Sequence, residues 1–216
     1  MIILQYVKQS DMAYVSHKDL LRVLQRGLRR MKAQVFFSQG FIPHMLTYMT
    51  SPIPLGVQST AEYFAVECKE TDAVEFLQRY NDAMPTGVRA TRAWYVPKNP
   101  NLAAVVSASV YAIPAPQANA REIASCMQDT QWMIEEVKKN VTRTVDIRPL
   151  IYDMQCKDGI LYLTLATGSN ANLRIDTALQ ALHDRFGYDL RVQDACRIAQ
   201  RIGDPSQLKD VEEVLQ

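Results

Sequence analysis

The sequence predicts an α+β fold of two tandem ferredoxin-like units, and the order of its elements leads to that prediction. The first half reads as strand, helix, strand, strand, helix, strand, judged from apolar alternation and helical periodicity. The second half, from residue 109, roughly repeats the same order. A βαββαβ order is typical of an antiparallel four-stranded sheet with two helices packed on one face.

Length and composition are those of an ordinary globular protein. The chain has 216 residues, of which 48% are hydrophobic and 22% charged. We predict a first unit at 1–97, a connector at 98–108, a second unit at 109–203 and a polar tail at 204–216. No apolar run approaches the roughly 18 residues of a membrane span, and the opening residues read as a strand rather than a signal peptide. We therefore expect a cytoplasmic protein that does not contact the membrane.

The first helix is predicted from its cap and from two sharply separated faces. An apolar strand at 1–7 opens the chain, after which Ser16 is a suitable N-cap with Asp19 three residues later. The helix is expected from about residue 17 to 32, with its leucines on one arc of about 100°. Its basic residues lie on the opposite arc: Lys18, Arg22, Arg26, Arg29 and Arg30.

The remaining elements follow from shorter patterns. In the first half we expect a strand, a tight excursion and a strand end over residues 35–49, followed by a strand at 62–68, a helix at 71–83 and a strand at 88–96. In the second half the predicted elements are a strand at 109–113, a helix at 119–131, extended segments at 132–138 and 145–154, a strand at 160–166 after a hairpin turn, a helix at 176–186 and a strand at 190–198.

The segment 38–56 has an unusual composition, with two glycines and three prolines in nineteen residues. Gly40 and Gly56 permit backbone angles that other residues resist, and proline fixes φ and removes a hydrogen-bond donor. We interpret this segment as one that shapes an exposed surface. We expect residues 38–44 to lie at the centre of the functional surface. The predicted binding-loop residues are Ser38, Gln39, Gly40, Phe41, Pro43 and His44. Aromatic side chains near the loop could stack on bases. Because aromatic residues on a sheet are more often buried, we expect four of them to lie in the core: Phe36, Phe37, Phe41 and Tyr48.

Charge is distributed unevenly between the two ends of the chain. Residues 1–60 carry seven basic and two acidic side chains, a net charge of +5, although the whole chain carries only +1. This asymmetry favours an anionic partner for the first part. We interpret the basic arc of helix 17–32 as a phosphate-binding face, while noting that a solvated helix face is the ordinary alternative.

Several short motifs, read together, resemble one bacterial family. They include residues 16–22, the run Ser38-Gln39-Gly40-Phe41-Ile42-Pro43-His44, residues 54–57, and the later residues 145–149 and 172–176. This pattern resembles the radical SAM-linked, or radical SAM-associated, proteins, a domain of unknown function, over nearly the whole chain. Four positions depart from the family pattern, which usually has Leu, Asn, Pro and Pro where this chain has Lys18, Ile42, Met45 and Ile175.

The resemblance implies a radical SAM enzyme as the partner of this chain, and it implies no particular reaction. The chain is not itself expected to be the radical SAM enzyme, because its four cysteines are far apart in sequence and cannot form the closely spaced triplet that holds the cluster. The same spacing gives no zinc-ribbon motif, so we expect neither a metal nor a cofactor.

Three functions remain open. The first is a non-catalytic accessory protein that binds RNA, with tRNA and rRNA as the candidate classes and DNA not expected, or that holds another substrate for the radical SAM enzyme. The second is an RNA-processing or RNA-modifying enzyme in which His17 and His44, two of the chain's three histidines, act as acid and base. The third is a pure protein-interaction subunit of the radical SAM enzyme.

Overall fold

The computed structural model of the chain describes residues 1–138 and 141–215. The predicted segments 109–203 and 204–216 therefore include three residues, 139, 140 and 216, that lie outside the described residues. Within the described part, no helix combines the length and the apolar content that a bilayer span requires.

The first half contains two helices and four strands in the predicted order. Ser16 caps the first helix, since its Oγ accepts a hydrogen bond from the backbone N–H of Asp19 at 3.2 Å. Asp72 caps the second helix in the same way through Val74 and Glu75. The elements are β1 (Ile2–Lys8), α1 (His17–Arg30), β2 (Thr47–Met49), β3 (Gln58–Val66), α2 (Ala73–Ala83) and β4 (Val88–Tyr95).

The second half has the same alternation with an added hairpin. A helical turn, α3 (Leu102–Val105), leads into the first strand of this half. The following elements are β5 (Val106–Pro114), α4 (Ala120–Cys126), β6 (Met133–Lys138), β7 (Val141–Asp146), β8 (Ile151–Lys157), β9 (Ile160–Ala166), α5 (Ile175–Phe186), β10 (Cys196–Ile202), β11 (Lys209–Asp210) and α6 (Val211–Val214). Strands β6 and β7 pair only with each other and form a separate two-stranded sheet among the described residues.

All other strands belong to one continuous sheet. Its order is β4-β1-β3-β10-β5-β9-β8, with β2 paired to β3 and β11 paired to β10. Every pairing is antiparallel except that of β3 with β10, where Cys196 lies opposite Gln58 and Arg197 opposite Ser59. The α+β class with a mostly antiparallel sheet is thus confirmed, and the halves meet edge to edge through one parallel junction.

The prediction that all helices pack on one face of the sheet is wrong, because helices lie on both faces. The four longer helices cover one face, where Leu20, Leu24 and Leu28 of α1 are buried in the first half and Leu179 and Leu182 of α5 in the second. The opposite face is covered by α3 and α6, which form a smaller core with residues of β1 and β3. Side chains of both faces are therefore removed from water over the first half of the sheet.

Part of the predicted polar tail packs against the sheet. Lys209 and Asp210 pair with β10, and Val211 and Leu215 are buried against Ile3 on the sheet. Gln5 also donates a hydrogen bond to Glu212 at 2.7 Å. The connector is likewise shorter than predicted, because β5 begins at Val106 rather than at residue 109.

A buried ion pair lies at the parallel junction. Arg197 of β10 and Glu62 of β3 are almost fully buried, and the Arg197 Nε donates to Glu62 Oε1 at 2.8 Å. The Arg197 Nη2 bonds both carboxylate oxygens and also donates to the Ser51 carbonyl at 3.1 Å. This pair therefore ties the two halves and the segment that crosses between them.

Replacing Arg197 by methionine should destabilise the protein by about 3–5 kcal/mol, because the Glu62 carboxylate would stay buried without its cation. The free energy of unfolding from urea titration measures this. Arg201→Met is the matched control, since Arg201 lies on the same strand in a half-exposed pair with Asp210 and should lose at most about 1 kcal/mol. Adding Glu62→Leu to Arg197→Met should restore much of the loss. A single-variant cost as small as the control's would contradict the assigned importance of the pair.

Val211→Asp should cost about 3 kcal/mol or more, because it places a charge without a partner in the core between α6 and the sheet. Val214→Asp is the control on the same helix, where the side chain is 47% exposed and the expected change is within about 0.5 kcal/mol. The same urea titration compares the two variants. Equal stability of both would mean that α6 is not docked in solution.

Candidate nucleic-acid interface

Helix α1 is held against the sheet along its whole length. Leu20, Leu24 and Leu28 fill the space above β1 and β3, and Gly27 lies where α1 approaches α2. A Cβ at position 27 would lie 3.1 Å from Cε2 of Tyr80, whose hydroxyl donates to the Leu24 carbonyl at 3.2 Å. The close approach explains a glycine in the middle of a helix, and it leaves the opposite face of α1 in solvent.

The five predicted basic residues of α1 are all exposed on that face: Lys18, Arg22, Arg26, Arg29 and Arg30. Arg22 forms an ion pair with Asp19 at 2.7 Å, and Arg30 donates to the Ala83 carbonyl at 3.1 Å. For Lys18, Arg26 and Arg29, the described residues provide no carboxylate within ion-pair distance. The structure thus brings the basic residues together in one row, most of them free to bind an anion.

The segment after α1 folds back on itself as an irregular hairpin at the edge of the sheet. Phe37 pairs with Met45, the Phe36 N–H donates to the Glu67 carbonyl at 2.8 Å, and the Leu46 N–H donates to the Phe36 carbonyl at 2.9 Å. Residues 38–44 form the loop that connects the two arms and projects beyond the sheet. We call residues 38–44 the hairpin loop.

Both ends of the hairpin loop are fastened by Ser38 and His44. The Ser38 N–H donates to the His44 carbonyl at 2.9 Å, and the His44 N–H donates to Ser38 Oγ at 3.1 Å. The Ser38 hydroxyl also lies 2.8 Å from Nδ1 of His44. Gly40 has a φ of +134°, a conformation that side-chain-bearing residues rarely adopt. The predicted loop residues thus include two that close the loop and one that permits its shape.

The aromatic residues near the loop were expected in the core, and that expectation is wrong. Phe41 is fully exposed, Ile42 is 87% exposed, and Phe36 and Phe37 are nearly half exposed. Tyr48 lies on the outer side of β2, where its hydroxyl bonds Glu67 at 2.8 Å. Phe36 and Phe37 lie where the hairpin leaves the sheet, and Phe41 and Ile42 lie in the loop beyond it, so their side chains are left in solvent. The result is a fixed loop with an apolar tip.

The basic row and the hairpin loop are adjacent. Gln25 of α1 donates to Thr47 Oγ1 of β2 at 3.0 Å, which places the helix beside the hairpin arms. The fourteen residues of α1 span about 21 Å, and its C-terminal end with Arg29 and Arg30 lies at the end of the sheet from which the loop projects. The basic row therefore lies beside the hairpin that carries Phe41.

His17 and His44 do not share one site. His17 lies at the first turn of α1, beside the charges of Lys8 and Glu62, whereas His44 bonds Ser38. The hairpin that carries His44 leaves the sheet at Glu67, five residues beyond Glu62 on β3, which corresponds to about 16 Å. A proton cannot pass directly between two imidazoles so far apart. The geometry does not assemble the acid–base pair that the sequence allowed.

His17 instead borders a buried polar cluster that the sequence did not reveal. The cluster contains the Arg197–Glu62 pair and Lys8, whose amino group is buried and donates to the Ala13 carbonyl at 2.9 Å. Partial burial lowers the pKa of His17, the Glu62 carboxylate opposes that shift, and the cations of Lys8 and Arg197 add to it. The one available signal was Lys8 itself, which stands at the core-facing position of β1 after Ile2, Leu4 and Tyr6.

Since folding lowers the pKa of His17, protonation should favour the unfolded chain. The stabilisation linked to neutral His17 is complete at pH values above the unfolded-state pKa of about 6.5. It is lost as the pH falls from there through the lower pKa of His17 in the folded protein. His17→Gln should remove this part of the pH dependence, and His44→Gln serves as the control for a histidine outside the cluster. Urea titrations at several pH values between about 5 and 8, with NMR titration of the imidazole, test this. A His17 imidazole that titrates above 6.5 would contradict it.

Comparison with known proteins identifies the family of this chain. No curated protein matches the sequence. Among solved structures, the first two RRM domains of yeast poly(U) binding protein (Pub1) align over 91% of this chain and 96% of that chain, at 11% identity. Their TM-score is 0.21, which is too low to establish a shared fold. Residues 1–175 match the family described as uncharacterized protein conserved in bacteria (DUF2344), and the chain therefore belongs to that family.

Proposed function

We propose that the chain is a non-catalytic RNA-binding accessory protein built from two ferredoxin-like units. The observation that carries the proposal is the row of exposed α1 cations beside the hairpin that bears an exposed apolar tip. In this proposal the row binds backbone phosphates, and the tip contacts an unpaired base. tRNA and rRNA are the RNA classes that we propose to test.

Two features of the basic row support phosphate binding. Its side chains follow the helix in one line, and most of them have no carboxylate partner among the described residues. Arginine guanidinium groups can hold two phosphate oxygens at once, and a row along a helix can follow a backbone. Because Arg26 and Arg29 have no carboxylate partner among the described residues, binding would not first require breaking an ion pair. Each neutralised phosphate should add about 0.7–0.9 to the slope of log affinity against log salt.

The hairpin loop supports contact with an unpaired base. Stacking of a base on an aromatic ring contributes about 1–3 kcal/mol and tolerates any sequence. Phe41 is exposed and sits on a loop closed by Ser38 and His44, so little ordering remains to be done on binding. Duplex RNA offers no exposed base face, and we therefore expect a preference for single-stranded or looped RNA.

The test is fluorescence anisotropy with labelled tRNA and rRNA fragments over a range of salt concentrations. The triple variant Arg22→Glu/Arg26→Glu/Arg29→Glu should lose at least tenfold in affinity and most of the salt dependence. The matched control, Arg89→Glu/Lys98→Glu/Lys157→Glu, makes the same change of charge at exposed positions elsewhere and should lose much less. Equal losses in the two variants, or binding by wild-type protein that is insensitive to salt, would refute the proposed surface.

Phe41→Ser separates the role of the tip from that of the charges. Because Phe41 has no buried contacts, its replacement should leave the unfolding free energy unchanged within about 0.5 kcal/mol. The affinity for single-stranded RNA should fall by roughly 5- to 100-fold, while the salt dependence stays that of wild type. Val74→Ser, on an exposed face of α2, is the apolar control. Unchanged affinity in Phe41→Ser would remove the tip from the RNA-binding surface.

We also propose a radical SAM enzyme as the protein partner, and the sequence resemblance alone supports this. A complex that co-purifies after high salt and nuclease treatment would favour direct contact, whereas loss of the complex with nuclease would mean that RNA bridges the two proteins. The acid–base alternative has no support from the separated positions of His17 and His44.

A further inference from the structure

A second concave surface lies in the other half of the protein, between β6 and α5. It is an open groove of about 750 Å³, with residues 131–136 on one side and residues 176–185 of α5 on the other. It includes none of the residues of the basic row or the hairpin loop. Its binding properties can therefore be considered separately from RNA binding.

One side of the groove is a strand edge. Strand β6 pairs with β7, from Met133 opposite Asp146 onward, and has no second strand neighbour in the part of the chain that the structure describes. Consecutive residues of β6 line the groove, including both Ile134 and Glu135, whose side chains alternate. The groove therefore runs along the main chain of β6. An open strand edge of this kind is a template for another strand.

The groove has an apolar floor and an acidic rim. Ala181 is buried and Ile134 is half-buried, and both pack against the core of the second half. Glu135 and Asp184 are exposed beside them, and neither has a basic partner among the described residues. Asp184 accepts a hydrogen bond from Gln180 at 2.8 Å.

The arginine within the groove does not neutralise this rim. Arg185 is engaged with Asp129 at 2.5 Å, and its guanidinium lies 5.0 Å from the ring centroid of Trp132. Arg174 is likewise bound, in a bidentate pair with Asp176 at the far end. Both cations are already held by carboxylates, so neither neutralises Glu135 or Asp184, and these two carboxylates favour a cationic occupant.

We propose that this groove binds an extended basic segment of a partner protein, which adds to the free edge of β6 as a new strand. Its main chain would bond the β6 edge, and alternate side chains would point to the two sides. Apolar side chains on one side would cover Ile134 and Ala181, while Lys or Arg side chains on the other would reach Glu135 and Asp184. The same negative rim disfavours RNA and anionic lipids as occupants.

The test uses a fluorescein-labelled ten-residue peptide of alternating lysine and valine, with anisotropy as the measurement. A peptide with glutamate in place of lysine controls for charge. A peptide methylated on every backbone nitrogen keeps the charge, but methyl groups then point to both of its edges, so it cannot form a strand ladder, and it controls for β-addition. Full-length protein is used throughout.

Wild-type protein should bind the lysine peptide saturably and should not bind the glutamate peptide. The double variant Glu135→Lys/Asp184→Lys should weaken lysine-peptide binding at least tenfold. The control Asp11→Lys/Asp82→Lys makes the same change at exposed carboxylates of the first half and should weaken it less than threefold. N-methylation should also reduce the affinity at least tenfold, and amide exchange at Met133 and Glu135 should slow on binding.

Four results would overturn the proposal. They are no saturable binding below 1 mM peptide, equal binding by the double variant, equal binding of the N-methylated peptide, and self-association that the double variant abolishes. The last result, measured by sedimentation velocity, would assign the groove to a second copy of the chain. None of these outcomes depends on RNA binding, so failure here and failure of the proposed function are separate.

Discussion

The structure depends on the buried contact between Arg197 and Glu62. The two residues are 135 positions apart in sequence and lie on the two strands that, within the described part of the chain, pair in parallel. Removing two charges from water is costly, and the cost is offset only because the guanidinium bonds both carboxylate oxygens and the Ser51 carbonyl. A shift of β10 against β3 would break these bonds at once. The pair therefore sets the register at which the two halves of the sheet join.

The same register also positions the chain segments that pack over the junction of the two halves. Ser51 belongs to the proline-containing segment that leads from the hairpin to β3, and Ile53 and Val57 of this segment are buried in the core of the second half. The Gly56 N–H donates to the Ala13 carbonyl at 3.0 Å, and Ala13 also accepts from Lys8. The chain just before α1, the chain just after the hairpin and the junction are thus bonded to one another. The position of α1 follows from the same contacts that hold the two halves together.

Local patterns predicted the parts of this structure that local interactions determine. The cap at Ser16 and the leucine arc placed α1 correctly, because both signals lie within one helix. Lys8 and Arg197 could not be placed in one cluster, since their contact depends on which strands become neighbours. The exposure of Phe36 and Phe37 was missed for a related reason. Whether the chain around them stays in the sheet or leaves it as a hairpin depends on pairing with Glu67, which the local sequence does not reveal.

The predicted loop was located correctly from its composition, and the structure explains why that composition is needed. Ser38 and His44 bond each other instead of a distant residue, Gly40 supplies the turn, and Phe41 and Ile42 are left with almost no protein contact. A loop that only connected two arms would be satisfied by polar residues, which lose nothing in water. Exposing a phenylalanine and an isoleucine on a closed loop gives up roughly 1.5–3 kcal/mol of burial for each side chain. That loss would be recovered if another molecule covered the tip, and this supports the proposed role of the hairpin loop in binding.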